Sequence, residues 1–95
     1  MRKLLFTVLM LLPFIVIGQT TEKIKYYESG AIQVKANYVD GKRQGKMITY
    51  FESGAIQGKI DFVEGKEQGE AIIYYESGAI KAKYNYVDGV LINNK

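Results

Sequence analysis

The 95-residue chain contains no cysteine, no histidine and no tryptophan, and only one proline. Without cysteine there is no disulfide, no thiol nucleophile and no acceptor for a thioether-linked lipid. A fold outside the reducing cytosol would then be held by backbone pairing and packing alone. Without histidine, the side chain that most often serves as general base or zinc ligand is missing, and Ser29, Ser53 and Ser77 have no imidazole to activate them. The single proline stands at position 13, so no later residue is barred from a β-ladder for lack of an N–H. Charge of one sign is not in excess either. The formal net charge is +3, and setting aside Arg2 and Lys3 leaves eleven basic against ten acidic residues. A nucleic-acid binder gathers a basic surplus on one face because counterion release drives its affinity, so no nucleic-acid partner is expected.

The one long apolar run covers residues 4–17, follows Arg2 and Lys3, and ends at Gly18 with Val16 two places before it. A positive start, an apolar middle and small residues at a cleavage point describe a helical secretory signal peptide over 1–18. A retained anchor is the alternative, although a spanning helix wants about 20 apolar residues and this run is shorter and broken by Pro13. The expected location is the periplasm or the cell exterior.

What remains is written three times. "YYESGAI" at 26–32 returns as "YFESGAI" at 50–56 and as "YYESGAI" at 74–80, and the blocks 22–45, 46–69 and 70–93 follow one another without a gap at a period of 24 residues. Such a period marks units that bury their apolar side only against their neighbours. Within each block the short-range period is two, the signature of a strand. Ile32, Val34, Ala36 and Tyr38 alternate with Gln33, Lys35 and Asn37; Ile56, Gly58, Ile60 and Phe62 alternate with Gln57, Lys59 and Asp61; Ile80, Ala82, Tyr84 and Tyr86 alternate with Lys81, Lys83 and Asn85. In the strand before each heptapeptide, Ile24 and Tyr26, Ile48 and Tyr50, and Ile72 and Tyr74 alternate with Lys25, Thr49 and Ile73.

The "ESGA" segments place a glycine where a hairpin loop needs positive φ, and "VDGK" and "VEGK" supply the Asp-Gly or Glu-Gly pair of a second hairpin turn. Gly45 and Gly69, four residues further on, mark a bulge or a close backbone approach between blocks. The expected fold is all-β: a single-layer antiparallel meander of three tandem hairpin repeats with about six strands. In that meander Tyr26, Tyr50 and Tyr74 are expected to line up, as are Tyr38, Phe62 and Tyr86, and Ile32, Ile56 and Ile80.

These units resemble the MORN repeat variant family, with "YYESG", "NYVDGK" and "RQG" in the first block, "YFESG", "DFVEGK" and "EQG" in the second, and "YYESG" with "NYVDG" in the third. Ordinary MORN repeats are somewhat shorter, place histidine where Gln44 and Gln68 stand, and carry a Tyr-x-Gly start that survives only loosely around Gly58. The third block replaces "KRQG" by "VLIN". The resemblance implies a scaffold or binding role, or an antitoxin-like component neutralising a toxin in the cell envelope.

Residues for chemistry are few. The repeated carboxylates Glu28, Glu52 and Glu76, or Asp40, Glu64 and Asp88, sit in equivalent environments, whereas a catalytic acid and base must differ in theirs. "GKRQGKM" at 41–47 has one residue too few between its glycines for a phosphate loop, and Met47 stands where a magnesium-binding hydroxyl is required. The basic cluster Lys42, Arg43 and Lys46 is offset by Glu64, Glu67 and Glu70 in the next block. No enzyme activity, cofactor, metal or small-molecule substrate is expected. A lone sheet buries one face poorly, so its apolar side is expected to curl on itself, pair with a second copy or meet a protein partner, with an envelope surface as a further option. The expected contact residues are Tyr26, Tyr50, Tyr74, Tyr38, Phe62 and Tyr86, together with Val90, Leu91 and Ile92. The last three form either a cap or an open, pairing-competent edge.

Overall fold

The computed structural model of the chain describes residues 19–94; the expected signal peptide at 1–18 lies outside the described residues. The strands are β1 Thr20–Tyr26, β2 Ile32–Val39, β3 Lys42–Arg43, β4 Gly45–Tyr50, β5 Ile56–Val63, β6 Lys66–Tyr74, β7 Ile80–Val87 and β8 Val90–Asn94. They form one antiparallel sheet in the order β1-β2-β4-β5-β6-β7-β8, with the short β3 paired to β2. The meander is as expected from the period-two pattern. Beyond the six expected strand positions, the "VLIN" segment adds β8, paired to β7 through Val87 opposite Val90 and Tyr86 opposite Leu91.

Two kinds of turn alternate along the sheet. At 27–31, 51–55 and 75–79 the loop is closed by paired backbone bonds, Tyr27 N to Ala31 O at 2.8 Å and Gly30 N to Tyr27 O at 2.9 Å in the first copy. Gly30 takes φ 97° and the Ser29 hydroxyl accepts from Ala31 N at 3.3 Å, so the Ser-Gly pair does local work in the loop. The second turn, of type I′, has Asp40, Glu64 or Asp88 at φ 50–52° followed by a glycine also at positive φ.

Each hairpin then departs from plain alternation at one place. Lys25 faces Val34 but Tyr26 faces Ile32, and the same slip recurs between Thr49 and Tyr50 and between Ile73 and Tyr74. The bulge leaves Gln33, Gln57 and Lys81 as extra residues and sets which side of the sheet each strand presents. A second irregularity lies between repeats, where Lys59 faces Ile72 while Asp61 faces Gln68. Gly69 sits inside that step at φ 88°, and Gly45 takes φ 86° in the preceding repeat, which bears out the bulge expected there.

The two alternating patterns of each block therefore fall on opposite faces, although the sequence reads them as obeying one rule. Lys25, Thr49 and Ile73 pair with Val34, Gly58 and Ala82, whereas Ile24, Ile48 and Ile72 pair with Lys35, Lys59 and Lys83. A one-residue slip moves a whole strand's pattern to the other face, and the bulge supplies that slip. The expected like-with-like ladders are also corrected. Equivalent residues one period apart are separated by an intervening strand, about 10 Å at two strand spacings. Tyr26 consequently faces Ile32, Tyr50 faces Ile56 and Tyr74 faces Ile80.

Among the described residues no second layer covers the sheet, so burial is thin. Among the described residues, Ala36, Phe62 and Ala71 are the buried hydrophobic ones, at 5–6 % exposure, and no side chain is fully buried. Phe62 stands directly opposite Gly45, and Tyr86 opposite Gly69. An aromatic residue thus stands across the ladder from each of these positive-φ glycines.

The repeats are tied to each other by a few recurring bonds. Gln44 Oε1 accepts from Glu64 N at 2.8 Å and Gln68 Oε1 accepts from Asp88 N at 3.0 Å. The neighbouring carbonyls of Arg43 and Glu67 accept from Gly65 N and Gly89 N. At the opposite end of the strands, Tyr27 Oη donates to the carbonyl of Tyr50 at 2.6 Å. Phe51 occupies the Tyr27 place in the second repeat and has no hydroxyl to donate to Tyr74. Phe51→Tyr is expected to add this bond, worth about 1 kcal/mol, and to raise the thermal midpoint by about 4–8 °C. Tyr27→Phe is expected to lower it by a similar amount, and differential scanning calorimetry on the pair reads both directions.

Candidate functional site

Pairing opposite one another puts Lys23, Ala36, Met47, Ile60, Ala71 and Tyr84 on one face. The same face carries Val34, Thr49, Gly58, Ile73 and Ala82 in the next row. The residues along its centre are small, so the face is hollowed. A cavity of about 240 Å³ lies over Gly58, Ile60, Ala71, Ile73 and Tyr84, and another of about 260 Å³ lies over Lys23, Lys25, Val34, Ala36 and Arg43. Met47 and Thr49 line both, which makes them one trough crossing the strands.

The trough is graded along its length. At the β1 end Lys23 Nζ lies 4.9 Å from the centre of the Tyr38 ring, and the Arg43 guanidinium lies 5.9 Å from Tyr38 and 5.4 Å from Phe62. Cations over aromatic faces are held there by the ring quadrupole while their stems cover apolar surface. One repeat on, Glu67 takes the Arg43 place and faces Phe62; one further, Leu91 faces Tyr86. The trough runs from three cations, through one carboxylate, to an aliphatic and aromatic end.

The opposite face carries a different row. Ile24 faces Lys35, Lys35 faces Ile48, Ile48 faces Lys59, Lys59 faces Ile72 and Ile72 faces Lys83, an unbroken alternation across six strands. Lys59 Nζ lies 5.8 Å from the Tyr74 ring on this side. Two ion pairs, Lys46 with Asp61 at 3.6 Å and Lys83 with Glu70 at 3.9 Å, are solvent-exposed and add little to stability.

Eight of the nine expected contact residues are thereby divided between the faces, and the ninth, Ile92, is the extra residue at the bulge where Asn93 faces Asn85 and Leu91 faces Tyr86. Tyr38, Phe62, Tyr86 and Leu91 belong to the trough face, with Phe62 already withdrawn from solvent. Tyr26, Tyr50 and Tyr74 follow Ile24, Ile48 and Ile72 onto the other face, where Val90 joins them opposite Val87. Val90, Leu91 and Ile92 are all half exposed or more, on an edge strand. The carboxylate rows lie at opposite ends of the strands, Glu28, Glu52 and Glu76 in the first kind of turn and Asp40, Glu64 and Asp88 in the second. Eight residues of strand separate them, about 26 Å at 3.3 Å per residue, well beyond the reach of a paired acid and base. Among the described residues no three His, Cys, Asp or Glu side chains gather as metal ligands, and no helix is long and apolar enough to cross a membrane.

The sequence pattern of the MORN repeat variant matches residues 19–40, 43–64 and 67–88, more than half of the chain. The chain belongs to the MORN repeat variant family. The three MORN units recur at the same 24-residue interval as the structural repeat, each starting three residues before the blocks read from the sequence. No curated protein and no solved structure matches the chain.

In this MORN sheet the trough is narrowest in side-chain volume at Gly58, where the other repeats have Val34 and Ala82. A Cβ there would already meet Ile73 Cδ1 and Thr49 Oγ1 at 3.3 Å and the Ile72 carbonyl at 3.4 Å. Gly58→Val is expected to cost about 1–3 kcal/mol by overpacking, despite valine's better strand propensity. Urea unfolding of Gly58→Val beside the parent measures it; an unchanged midpoint would show that the trough floor yields.

Proposed function

We propose that the chain is a small exported binding module without catalysis of its own, and that it takes up a segment of another protein along the trough. The observation that carries this reading is the trough itself: apolar side chains over Ile60, Ile73 and Tyr84 that nothing in the described chain covers, with Lys23, Lys25 and Arg43 gathered at one end. A fitting segment places aliphatic or aromatic residues at the β7 end and carboxylates at the β1 end, because desolvated apolar anchors give affinity and complementary charge fixes direction. Export rests on the 1–18 signal-like segment, and the absence of cysteine, which leaves no thiol to be oxidised outside the cell, is compatible with it. The narrower role of neutralising a toxin in the envelope rests on the family resemblance alone, and differs in requiring that the ligand be that toxin.

The test is retention of a captured partner by variants of the two faces, taken from the exported fraction of the producing cells. Ile73→Lys, in the trough, is expected to weaken retention about tenfold or more, the scale of a lost anchor. Tyr74→Ser, on the other face, is expected to leave it unchanged. Lys23→Glu combined with Arg43→Glu is expected to weaken it and to remove most of its salt dependence. Loss with Tyr74→Ser and not with Ile73→Lys would move the contact to the Ile–Lys face; equal retention by all three, each shown to keep the parent's β signature, would overturn a face-mediated function.

A further inference from the structure

The two ends of the sheet are unlike, and each lacks what the other carries. β6 runs for nine residues, Lys66–Tyr74. Shifted forward by one repeat period its first five residues coincide with β8, and shifted back by two periods its last seven coincide with β1. The edge strands are thus the leading and trailing parts of one template strand. β5 is met on its outer side by β6 from Val63 to Gly58, but β7, its equivalent, is met by β8 only at residues 84–87. Among the described residues, the outer side of 80–83 has no strand. Ile80 is accordingly 50 % exposed where Ile56 is half-buried, and at the far end Tyr26 is 58 % exposed where Tyr50 and Tyr74 are half-buried. The Tyr27 hydroxyl finds the Tyr50 carbonyl in the next repeat, whereas the Tyr75 hydroxyl finds no such carbonyl among the described residues.

We propose that copies of this chain associate head to tail, β1 of one copy adding to the open stretch of β7 in the next, in the register that β6 takes on β5. Gly58 faces Ile73 and Lys59 faces Ile72 in that register. Transposed by the period, Ala82 faces Lys25 and Lys83 faces Ile24 of the incoming copy, so the alternating Ile–Lys row continues across the joint. Lys23 and Lys25 lie on the trough face and Lys83 on the other, so lysine does not meet lysine. The Tyr75 hydroxyl reaches the Tyr26 carbonyl of the incoming copy, the bond that Tyr27 makes to Tyr50 within the chain. Main-chain bonds supply affinity in such strand addition, and side chains built on one template supply the match. Two copies joined β1 to β1 would instead set Lys23 and Lys25 of both on one face.

The joint has a cost that keeps it weak. Residues 92–94 and residues 20–22 correspond to the same three places of β6, so the incoming copy must release Thr20, Thr21 and Glu22 from Val39, Tyr38 and Asn37. β8 holds its place, pinned by Asn85 Nδ2 donating to Asn93 Oδ1 at 2.6 Å. The interface is heterologous, so it propagates without closing at two copies. It requires no other protein, and it stands whether or not the trough is a docking site.

Sedimentation velocity on the purified protein, in the form in which it accumulates, tests this over a range from about 10 μM to 1 mM, where weak interfaces of this size populate. The parent is expected to form a ladder of species that grows with concentration. Ile80→Lys, blocking the β7 edge, and Tyr26→Lys, blocking the β1 edge, are each expected to be monomeric alone and to form a dimer and nothing larger when mixed. Tyr75→Phe, which removes a single oxygen and spares the fold, is expected to weaken association about two- to tenfold. A parent that stays monomeric throughout overturns the proposal. So does a Tyr26→Lys protein that still dimerises, which would mean β8-to-β8 pairing, or a mixture of the two blocked proteins that stays monomeric. If a blocked variant fails to fold, the Tyr75→Phe result decides.

Discussion

The structure depends on the second turn of the second and third repeats being held by the repeat before it. Glu64 and Asp88 adopt φ near 50°, a conformation that costs an ordinary side chain about 1–2 kcal/mol. In both cases the backbone is met from outside: the Gln44 or Gln68 side-chain carbonyl takes the turn's first N–H, and the Arg43 or Glu67 main-chain carbonyl takes the glycine's. These contacts span about twenty residues of sequence but a single strand of space. The fold of the described residues is therefore a chain of nearest-neighbour couplings, as is characteristic of linear repeat proteins.

That coupling explains why the inter-repeat strand must bulge. To bring Gln44 beneath Glu64, the strand has to take in extra residues between Lys42 and Lys46 without losing its pairing to β5, and Gly45 at φ 86° is where it does so. A glycine there leaves bare backbone, and Phe62 stands opposite it across the ladder. The same ring is then the floor against which Arg43 rests. Turn, bulge, buried aromatic and trough cation are successive consequences of one stitch, which is why "DG", "QG" and "NY" or "DF" recur together in the sequence. In the third repeat Asn93 stands in the glycine's place and keeps an ordinary φ, Ile92 replaces the glutamine, and the stitch is not passed on.

The architecture was legible in the sequence because its causes are local: a period of two between turns, Gly at fixed offsets, and a 24-residue interval that only a stack of like units requires. The bulge at Gly45 and Gly69 could be located for the same reason. The faces could not be assigned, since a single extra residue at Gln33, Gln57 or Lys81 exchanges the sides of the paired strands while leaving the alternation within each strand intact. Ile24 and Val34 read as one apolar side and lie on two. The like-with-like aromatic ladders failed on geometry, because equivalents in an antiparallel meander are two strands apart. The "AIQ" and "AIK" that follow every turn glycine were the available signal, an apolar residue and a polar one inserted where the hairpin had already closed.

A single-layer sheet with two half-apolar faces has to treat them differently or it would stack indiscriminately. Here the distinction is made by where the lysines are. On one face Lys35, Lys59 and Lys83 interrupt every isoleucine neighbour, so no two large aliphatic side chains are adjacent along that row. On the other, Lys23 and Lys25 lie at one end with Arg43 and leave Met47, Ile60, Ile73 and Tyr84 contiguous. Periodic charge keeps a surface wet, whereas segregated charge leaves an apolar stretch with a direction. The repeat supplies both faces three times over; the departures from it, Arg43 becoming Glu67 and then Leu91, give only the trough a beginning and an end.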